Sequence, residues 1–467
     1  MEPKSAHERI DADLLVIGFG KGGKTLAADM GKRGERVVLV EESAAMYGGT
    51  CINTGCIPTK SMVHHGEQRV PGTSGASAYA DGVAATERLT AGLRAVNYAS
   101  LVRTATVLTG RARFVDDHSV VVTTDTGPVV VTAQTIVIGT GSTPVFPDLP
   151  GLRDCPVAVT SEQLLRLAAR PDRLVVLGGG YIGLEFASMY AGFGSAVTVL
   201  EQRPEVLASE DSDVADAVRS LLGERGVDII TGASVVGVQT IMRPGGPPAA
   251  RVEYVIDGRS TTVDADNVLV ALGRKPNTAE LGLDRAGVEV TDTGAVVVDD
   301  HRRTTVPHIF AVGDVNGGPQ FTYISLDDYR IVLDQLTGAA APRSASRRVA
   351  VPNCLFVTPP LGRIGLTETQ ARAAGYDIRV AASPVVDLAT VARARIVEQT
   401  AGMMKVVVDA ATDQILGAAL LCHDAQEIIN LVALAMRHGI TASALRDEIY
   451  THPSMSECFN QLLGMLN

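Results

Sequence analysis

A three-glycine pattern, G-x-G-x-x-G, stands twice in the 467-residue chain, each time after an apolar run and before an amphipathic one. Residues 13–23, DLLVIGFGKGG, read as a strand entering a glycine turn; KTLAADMGKRG then has helical character, and VVLVEE resumes a strand. Residues 173–202, RLVVLGGGYIGLEFASMYAGFGSAVTVLEQ, repeat the same grammar. A strand–turn–helix–strand unit of this kind commits its strands to a parallel sheet and its turn to binding a pyrophosphate. Gly18 permits the tight turn, Gly20 lets the backbone approach the phosphates, and Gly23 allows close helix packing. Glu41 ends the next strand about 20 residues on, where a ribose-binding acid belongs. Gly178, Gly180, Gly183 and Glu201 repeat the set. Two dinucleotides are therefore expected. A carboxylate at Glu201 favours NADH over NADPH, with Arg203 two residues away as an offsetting charge.

The rest of the chain is organised around these two units. Residues 105–144 alternate Val and Thr between turn residues, which suggests a meander returning to the first sheet. The Pro-rich VFPDLPG marks a break near Pro150. NVLVALGRKPN and IFAVGDV each read as a short buried strand ending in glycine, as expected of a chain coming back to the first domain. GAAAPRSASRR marks a second break, after which strands (GMMKVVVDA, ILGAALLC) mix with a helix (AQEIINLVALAMRHG). The expected domains are residues 1–150, continued by 274–345; residues 151–273; and residues 346–467. With 46% hydrophobic residues, a net charge of −11 and no dense basic run, the chain reads as globular and unsuited to nucleic acid. No apolar stretch reaches the roughly 20 residues of a membrane span. The opening residues lack the basic-then-apolar order of a signal peptide, so a cytoplasmic location is expected.

Six cysteines are too few and too scattered for a disulfide framework, yet Cys51 and Cys56 sit five residues apart in GGTCINTGCIPTK. They can bridge if the local helix is distorted, and Pro58 is compatible with a helix start there. A dithiol/disulfide switch is the functional reading; a metal site or two buried thiols are the alternatives. Zinc would need two more ligands and none lies nearby in sequence, His64 and His65 reading as helix surface. No metal site is expected. Near the end, His452 precedes Glu457 by five residues in THPSMSE. Pro453 can simply stiffen a turn; alternatively Glu457 orients one ring nitrogen while the other exchanges protons with a thiol.

These motifs, with Ile138-Gly139-Thr140-Gly141-Ser142 and Ala311-Val312-Gly313-Asp314, occur in the order found in the class I flavoprotein disulfide reductases, which the chain resembles over essentially its whole length. That family includes glutathione reductase, dihydrolipoamide dehydrogenase and mercuric reductase. The resemblance implies an α/β fold of two Rossmann-like domains, for FAD and NAD(P), and a C-terminal α+β dimerisation domain. It implies a homodimer in which His452 completes the other subunit's site. FAD would contact Gly18, Gly20, Gly23, Glu41, Gly49, Thr50, Lys60, Ala112, Thr140, Gly141, Gly313 and Asp314; Gly178, Gly180, Gly183, Glu201 and Gly273 would serve the nicotinamide dinucleotide. Tyr181 would gate the flavin and Glu185 would pair with Lys60 beside flavin N5. Electrons would pass from the nicotinamide through flavin to Cys51–Cys56, with Cys56 nearest the flavin and Cys51 presented to substrate.

Within the family, IGFGKGGKTLA, AMYGGTCINTGCIPTK, LGGGYIGLEFASMYAGFGS, GGPQFTYISLDDYRIV, TPPLGRIGLTE and THPSMSE look like the reactive-chlorine-resistance flavoproteins, which act as hypothiocyanous acid reductases. A small-molecule oxidant is then the expected electron acceptor. A dihydrolipoamide dehydrogenase and a copper or mercury reductase are the rival enzymes, and a non-catalytic redox sensor the rival from another class. Cys458 stands alone, without the vicinal partner usual in mercuric reductases, and the metal-binding domain expected at the N-terminus of those enzymes is not evident. Cys458 reads as a buried bystander.

Overall fold

A computed structural model describes residues 8–69, 72–243 and 245–466; the opening residues 1–7, read above for a leader, lie outside the described residues. The chain divides into two compact units. The first takes residues up to Ser61, Val83–Val145 and Gly273–Arg347, and the second takes Met62–Gly82, Phe146–Leu272 and Arg348–Asn467.

The first unit is built on a seven-stranded sheet. Its strands run in the order Thr106–Thr109, Val37–Glu41, Glu8–Ile17, Gly127–Ile138, Ser119–Thr124 and Arg111–Phe114, and Ile309–Ala311 also pairs with Gly127–Ile138. The nucleotide unit at its centre is parallel, with Leu14 opposite Val37 and Ile17 opposite Ile138. Residues 111–138 form the antiparallel meander expected from their Val/Thr alternation. Both faces of the central strands are covered, so Leu14, Leu15, Val16 and Ile17 are all buried, and a continuous apolar run replaces alternation. The helix Lys21–Lys32 buries Gly22, Gly23, Leu26, Ala27 and Met30.

The second unit holds a five-stranded parallel sheet in the order Val227–Ile230, Ala196–Leu200, Arg173–Leu177, Asn267–Val270, Ala158–Thr160. An antiparallel trio (Ser234–Met242, Pro248–Ile256, Arg259–Ala265) accompanies it. The strand within NVLVALGRKPN belongs to this unit, on the same side as the expected boundary after residue 273: Val268 pairs with Val175 and Ala158, and the change of unit comes at Gly273. A parallel sheet of this size needs that apolar strand beside Arg173–Leu177, a requirement a short run of Val and Leu does not advertise. The same unit carries an antiparallel sheet ordered Asn353–Leu355, Leu361–Gly365, Ile415–Leu421, Met403–Asp409, Ile378–Pro384, on which the helix Ala425–Arg437 packs through Ile428, Ile429 and Val432.

Buried charge ties the two five-stranded sheets of this unit together through the segment that follows Glu201. Arg363 Nε meets Glu210 at 2.6 Å, with both side chains almost wholly buried. Lys405 Nζ lies 3.2 Å from Asp211, 2.8 Å from Asp213 and 2.9 Å from Glu368. Asp211 also accepts from the backbone of Glu368 and from the backbone and hydroxyl of Thr369. Burial works against its charge, but those hydrogen bonds and Lys405 prevail and hold its carboxyl at about 2, below the usual 3.8. A depressed carboxyl stabilises the fold above pH of about 4 and loses that contribution as pH falls toward 2. Asp211→Asn should therefore be less stable at neutral pH and show a flatter loss of stability over that acid window, read as the urea midpoint against pH.

Candidate active site

The first glycine turn needs glycine for two physical reasons. Gly18 has φ +107°, and a Cβ there would stand 2.3 Å from the carbonyl oxygen of Gly139. A Cβ on Gly23 would lie 2.8 Å from the Gly18 oxygen. Gly20 caps the helix in extended conformation with no side-chain cap, and Glu41 Oε2 accepts from Phe19 N at 2.9 Å. Burial raises the Glu41 carboxyl, against the hydrogen bonds that favour its charge. Around this turn the structure places Gly141, also left-handed at φ +71°, and Thr140, whose hydroxyl donates to Asn277 O. Asp314 accepts from Ser142 Oγ at 2.7 Å, while Gly313 N donates to the fully buried Asp328. Ala112 is buried in the strand Arg111–Phe114, which begins just after Gly110 N donates to Glu41 O.

The second turn repeats this geometry. Gly178 has φ +106°, a Cβ on Gly183 would sit 2.0 Å from the Gly178 oxygen, and Gly180 has open space where a Cβ would go. Glu201 accepts from Gly179 N at 2.6 Å and Arg203 N at 2.8 Å. Both turns fit a dinucleotide: uncapped helix amides, glycines where the backbone must be approached, and a carboxylate ending the second strand. Tyr181 opens the second helix and donates to Asn353 Oδ1 at 2.9 Å; Glu185, buried one turn on, accepts from Phe356 N at 2.9 Å. Gly273, at φ +100°, belongs to the first unit, where its carbonyl accepts from Val145 N.

The cysteine motif lies against the first turn. Gly48 and Gly49 both have positive φ, and a Cβ on Gly49 would meet the Gly20 Cα at 2.6 Å. The helix Thr50–Asn53 starts there and ends at Thr54, and a second helix, Cys56–Glu67, begins after Gly55. This interruption is the expected distortion between the cysteines, with Pro58 in the first turn of the second helix. No disulfide joins the two; Cys51 is half-buried and Cys56 exposed. Cys56 Sγ lies 3.7 Å from Thr322 Oγ1, at the start of the helix Thr322–Leu336. Cys56 thus stands at its own helix N-terminus and beside another, where partial positive charge favours a thiolate. The neighbouring Cys56 and burial push the Cys51 thiol up, while Thr322 and Lys24 pull against them. Lys60 follows Cys56 by one turn of the same helix.

The motif is braced by a longer helix, Gly75–Leu101, that carried no sequence signal beyond its composition. Arg94 Nε donates to Asn53 Oδ1 at 2.9 Å, and Asn53 Nδ2 donates to the carbonyls of Tyr47 and Gly49. Tyr47 stacks on Tyr98 with ring centroids 4.7 Å apart. Sequence reasoning passed over Thr322, Asn97 and Lys24. Lys24 alone carried a visible cue, a lysine directly after the third glycine of the first turn.

His452 Nδ1 lies 2.9 Å from Glu457 Oε1, and Glu457 also accepts from Ser454 N at 2.8 Å. The Ser454 N–H foremost, then His452, hold the Glu457 carboxyl below its ordinary range against a little burial. With Nδ1 engaged, Nε2 is the nitrogen this largely exposed ring offers to a second molecule. Cys458 is fully buried, and burial pushes its thiol far up. Among the described residues, Asp117, His118 and His308 bring metal-ligating atoms within 4.8 Å of one another. The two rings, however, are stacked at 3.9 Å and nearly parallel, so their lone pairs lie in parallel planes and do not converge on one ion.

The sequence matches the family described as pyridine nucleotide-disulphide oxidoreductase over residues 12–328 and that family's dimerisation domain over residues 351–463. A probable pyridine nucleotide-disulfide oxidoreductase of Escherichia coli K12, RclA, is 45% identical over 97% of this chain and 98% of its own length. A mercuric reductase of Staphylococcus aureus is 33% identical, over 96% of this chain and 81% of its own, and a dihydrolipoyl dehydrogenase of Bacillus subtilis is 33% identical, over 96% and 95%. A solved Cu(II) complex of the HOCl-induced flavoprotein disulfide reductase RclA from Escherichia coli superimposes with a TM-score of 0.91 at 43% identity, over 98% of this chain and all of that one. Among the described residues no helix is long and apolar enough to cross a membrane.

The geometry of the second turn makes its own prediction. Gly183→Ala must push a methyl into the Gly178 carbonyl, so the variant should keep its flavin absorbance but bind NADH at least about tenfold more weakly, read by titration.

Proposed function

This chain belongs to the pyridine nucleotide-disulphide oxidoreductases, flavoprotein disulfide reductases that use FAD and NAD(P)H, and from that premise we propose that it reduces hypothiocyanous acid through Cys51 and Cys56. The observation that carries this reading is the state of the thiol pair: Cys56 at the junction of two helix N-termini, and Cys51 half-buried with its proton held more tightly by its neighbour. FAD, when bound, supplies the two-electron relay between the nicotinamide and this pair. A compact oxidant suits a nucleophile on a short helical turn, and the Escherichia coli relative that is 45% identical is an HOCl-induced flavoprotein disulfide reductase. Hypothiocyanous acid belongs to the same class of hypohalous-type oxidants.

Cys51, as thiolate, attacks the sulfur of the oxidant. An S–S bond forms, the S–O bond breaks, and hydroxide leaves as water with a proton from His452 of the partner subunit. Cys56 then attacks Cys51 Sγ, so that thiocyanate departs and the disulfide closes. The two thiols lose two electrons and the oxidant's sulfur gains them. Because Cys51 holds its proton tightly, the step needs a base; a His paired with a carboxylate, as His452 is with Glu457, supplies one in the homodimer that the dimerisation domain implies. Lys60, one turn from Cys56, adds positive charge beside the pair. On the nicotinamide side, the Glu201 carboxylate is held by two backbone amides where a 2′-phosphate would sit, which favours NADH.

NADH oxidation by the purified yellow protein, with hypothiocyanous acid, glutathione disulfide, lipoamide and copper(II) in parallel, tests the substrate. Turnover should be fast with hypothiocyanous acid alone and fall by about a hundredfold or more in Cys51→Ser. Preference for lipoamide would place the chain with its dihydrolipoyl dehydrogenase relatives, and copper-driven oxidation that survives Cys51→Ser would place the chemistry at the flavin instead. Glu201→Gln should raise the NADPH/NADH ratio of kcat/KM by roughly tenfold; an unchanged ratio would remove Glu201 from the ribose site.

A further inference from the structure

Lys24 directly follows Gly23 on the helix Lys21–Lys32, off the face that this helix buries against the sheet. Its Nζ donates to Asn97 Oδ1 at 2.6 Å and approaches the carbonyl oxygen of Gly48 at 3.4 Å. Asn97 lies on the long helix Gly75–Leu101, one turn beyond Arg94, whose guanidinium holds Asn53. The ammonium therefore grips the near side of the Gly48–Gly49 turn while Arg94 grips the far side of the short helix that Gly49 caps. Cys51 is the second residue of that helix. Among the described residues no carboxylate forms a salt bridge with Lys24, an unusual setting for a half-buried lysine.

We propose that Lys24 is a positioning residue for the redox pair: tied to Asn97 and Gly48, its ammonium holds the turn that carries Cys51 and stabilises the Cys51 thiolate. The inference rests on the reading of Cys51 as the thiol that meets substrate, and it adds a cation from the glycine-turn helix to the base supplied by His452 of the partner subunit. Burial, and then Lys21, bring the Lys24 ammonium down to about 8, with Cys51 acting the other way. In turn Lys24 eases ionisation of Cys51 against the opposing effect of Cys56. The sign follows: below about pH 8 the ammonium is charged and favours the thiolate, and above it that help is lost. The ionisable groups gathered around the turn are Lys21 on the same helix, Cys51, Cys56 and Lys60 from the motif, Tyr47 before it, and Arg94 and Tyr98 from the long helix; Thr322 contributes a neutral hydroxyl.

The test uses the FAD-loaded dimer, reduced anaerobically with NADH and labelled with iodoacetamide across about pH 6 to 10, with Cys51 modification followed by peptide mass spectrometry. Lys24→Met should label Cys51 about tenfold more slowly than wild type below about pH 8 and at the wild-type rate above it. Lys24→Arg should keep the wild-type rate below about pH 8 and speed labelling above it, because a donor returns with a charge that does not titrate. If Lys24→Met loses its flavin, Lys24→Gln, which keeps a donor for Asn97 and Gly48, decides the matter with the same expected direction. A wild-type labelling rate below about pH 8 in Lys24→Met or Lys24→Gln overturns the charge role, as does slower turnover with no change in labelling. Failure of the underlying reading looks different: NADH reduction of the wild-type protein would then expose no labelled Cys51 at any pH.

Discussion

Gly49 and Gly20 come so close that a Cβ on Gly49 would stand 2.6 Å from the Gly20 Cα. The first glycine turn and the turn that launches the Cys51 helix are thereby packed backbone to backbone, with no side chain between them. Any residue with a Cβ would force the loop off the cradle, and its φ of +78° adds a second demand for glycine. Because of this contact, the position of Cys51 is set by a turn anchored between buried parallel strands rather than by its own one-turn helix.

The redox helix cannot be held by that contact alone, since one turn of helix has little stability of its own. Asn53 ties its end back to Tyr47 and Gly49, Arg94 orients Asn53, and the Tyr47–Tyr98 stack covers the outside. The polar groups used here are half-buried and mutually satisfied, so each loses little by leaving water. Breaking the helix at Thr54 and Gly55 lets Cys56 begin a helix of its own. That break serves chemistry as well as geometry: a continuous helix would place residues five apart off a common line and would deny Cys56 the positive end of a helix.

The second unit solves a related problem with charge. Glu201 is fixed by amides of the turn on one side and of Arg203 on the other, and the chain that follows it is fastened by Arg363 and Lys405. Buried ion pairs of this kind contribute little net stability compared with an apolar contact, but loss of one partner leaves the other stranded. They specify where the segment after Glu201 must lie, and they make the C-terminal sheet part of the support of the second glycine turn.

Much of this was legible in the residues. The duplicated glycine pattern, its acidic partners and the strands around them follow from local chemistry: positive φ, missing Cβ atoms and apolar runs long enough for buried strands. The break between Cys51 and Cys56 and the His452–Glu457 pairing were readable for the same reason, because their partners lie within six residues of one another. Long-range decisions were not readable. Asn267–Val270 falls within the expected domain 151–273, but its place between Arg173–Leu177 and Ala158–Thr160 is settled only by pairing with Val175 and Ala158. Thr322 reaches Cys56 across 266 residues and Asn97 reaches Lys24 across 73, and a lone threonine or asparagine carries no mark of its partner. The sequence by itself determined which turns have the glycine geometry that suits a dinucleotide and which two cysteines flank the helix break, because those depend on spacing and backbone freedom. The tertiary structure decided what surrounds the thiols, because electrostatic environment is a property of distances through space, and distance along the chain does not report it.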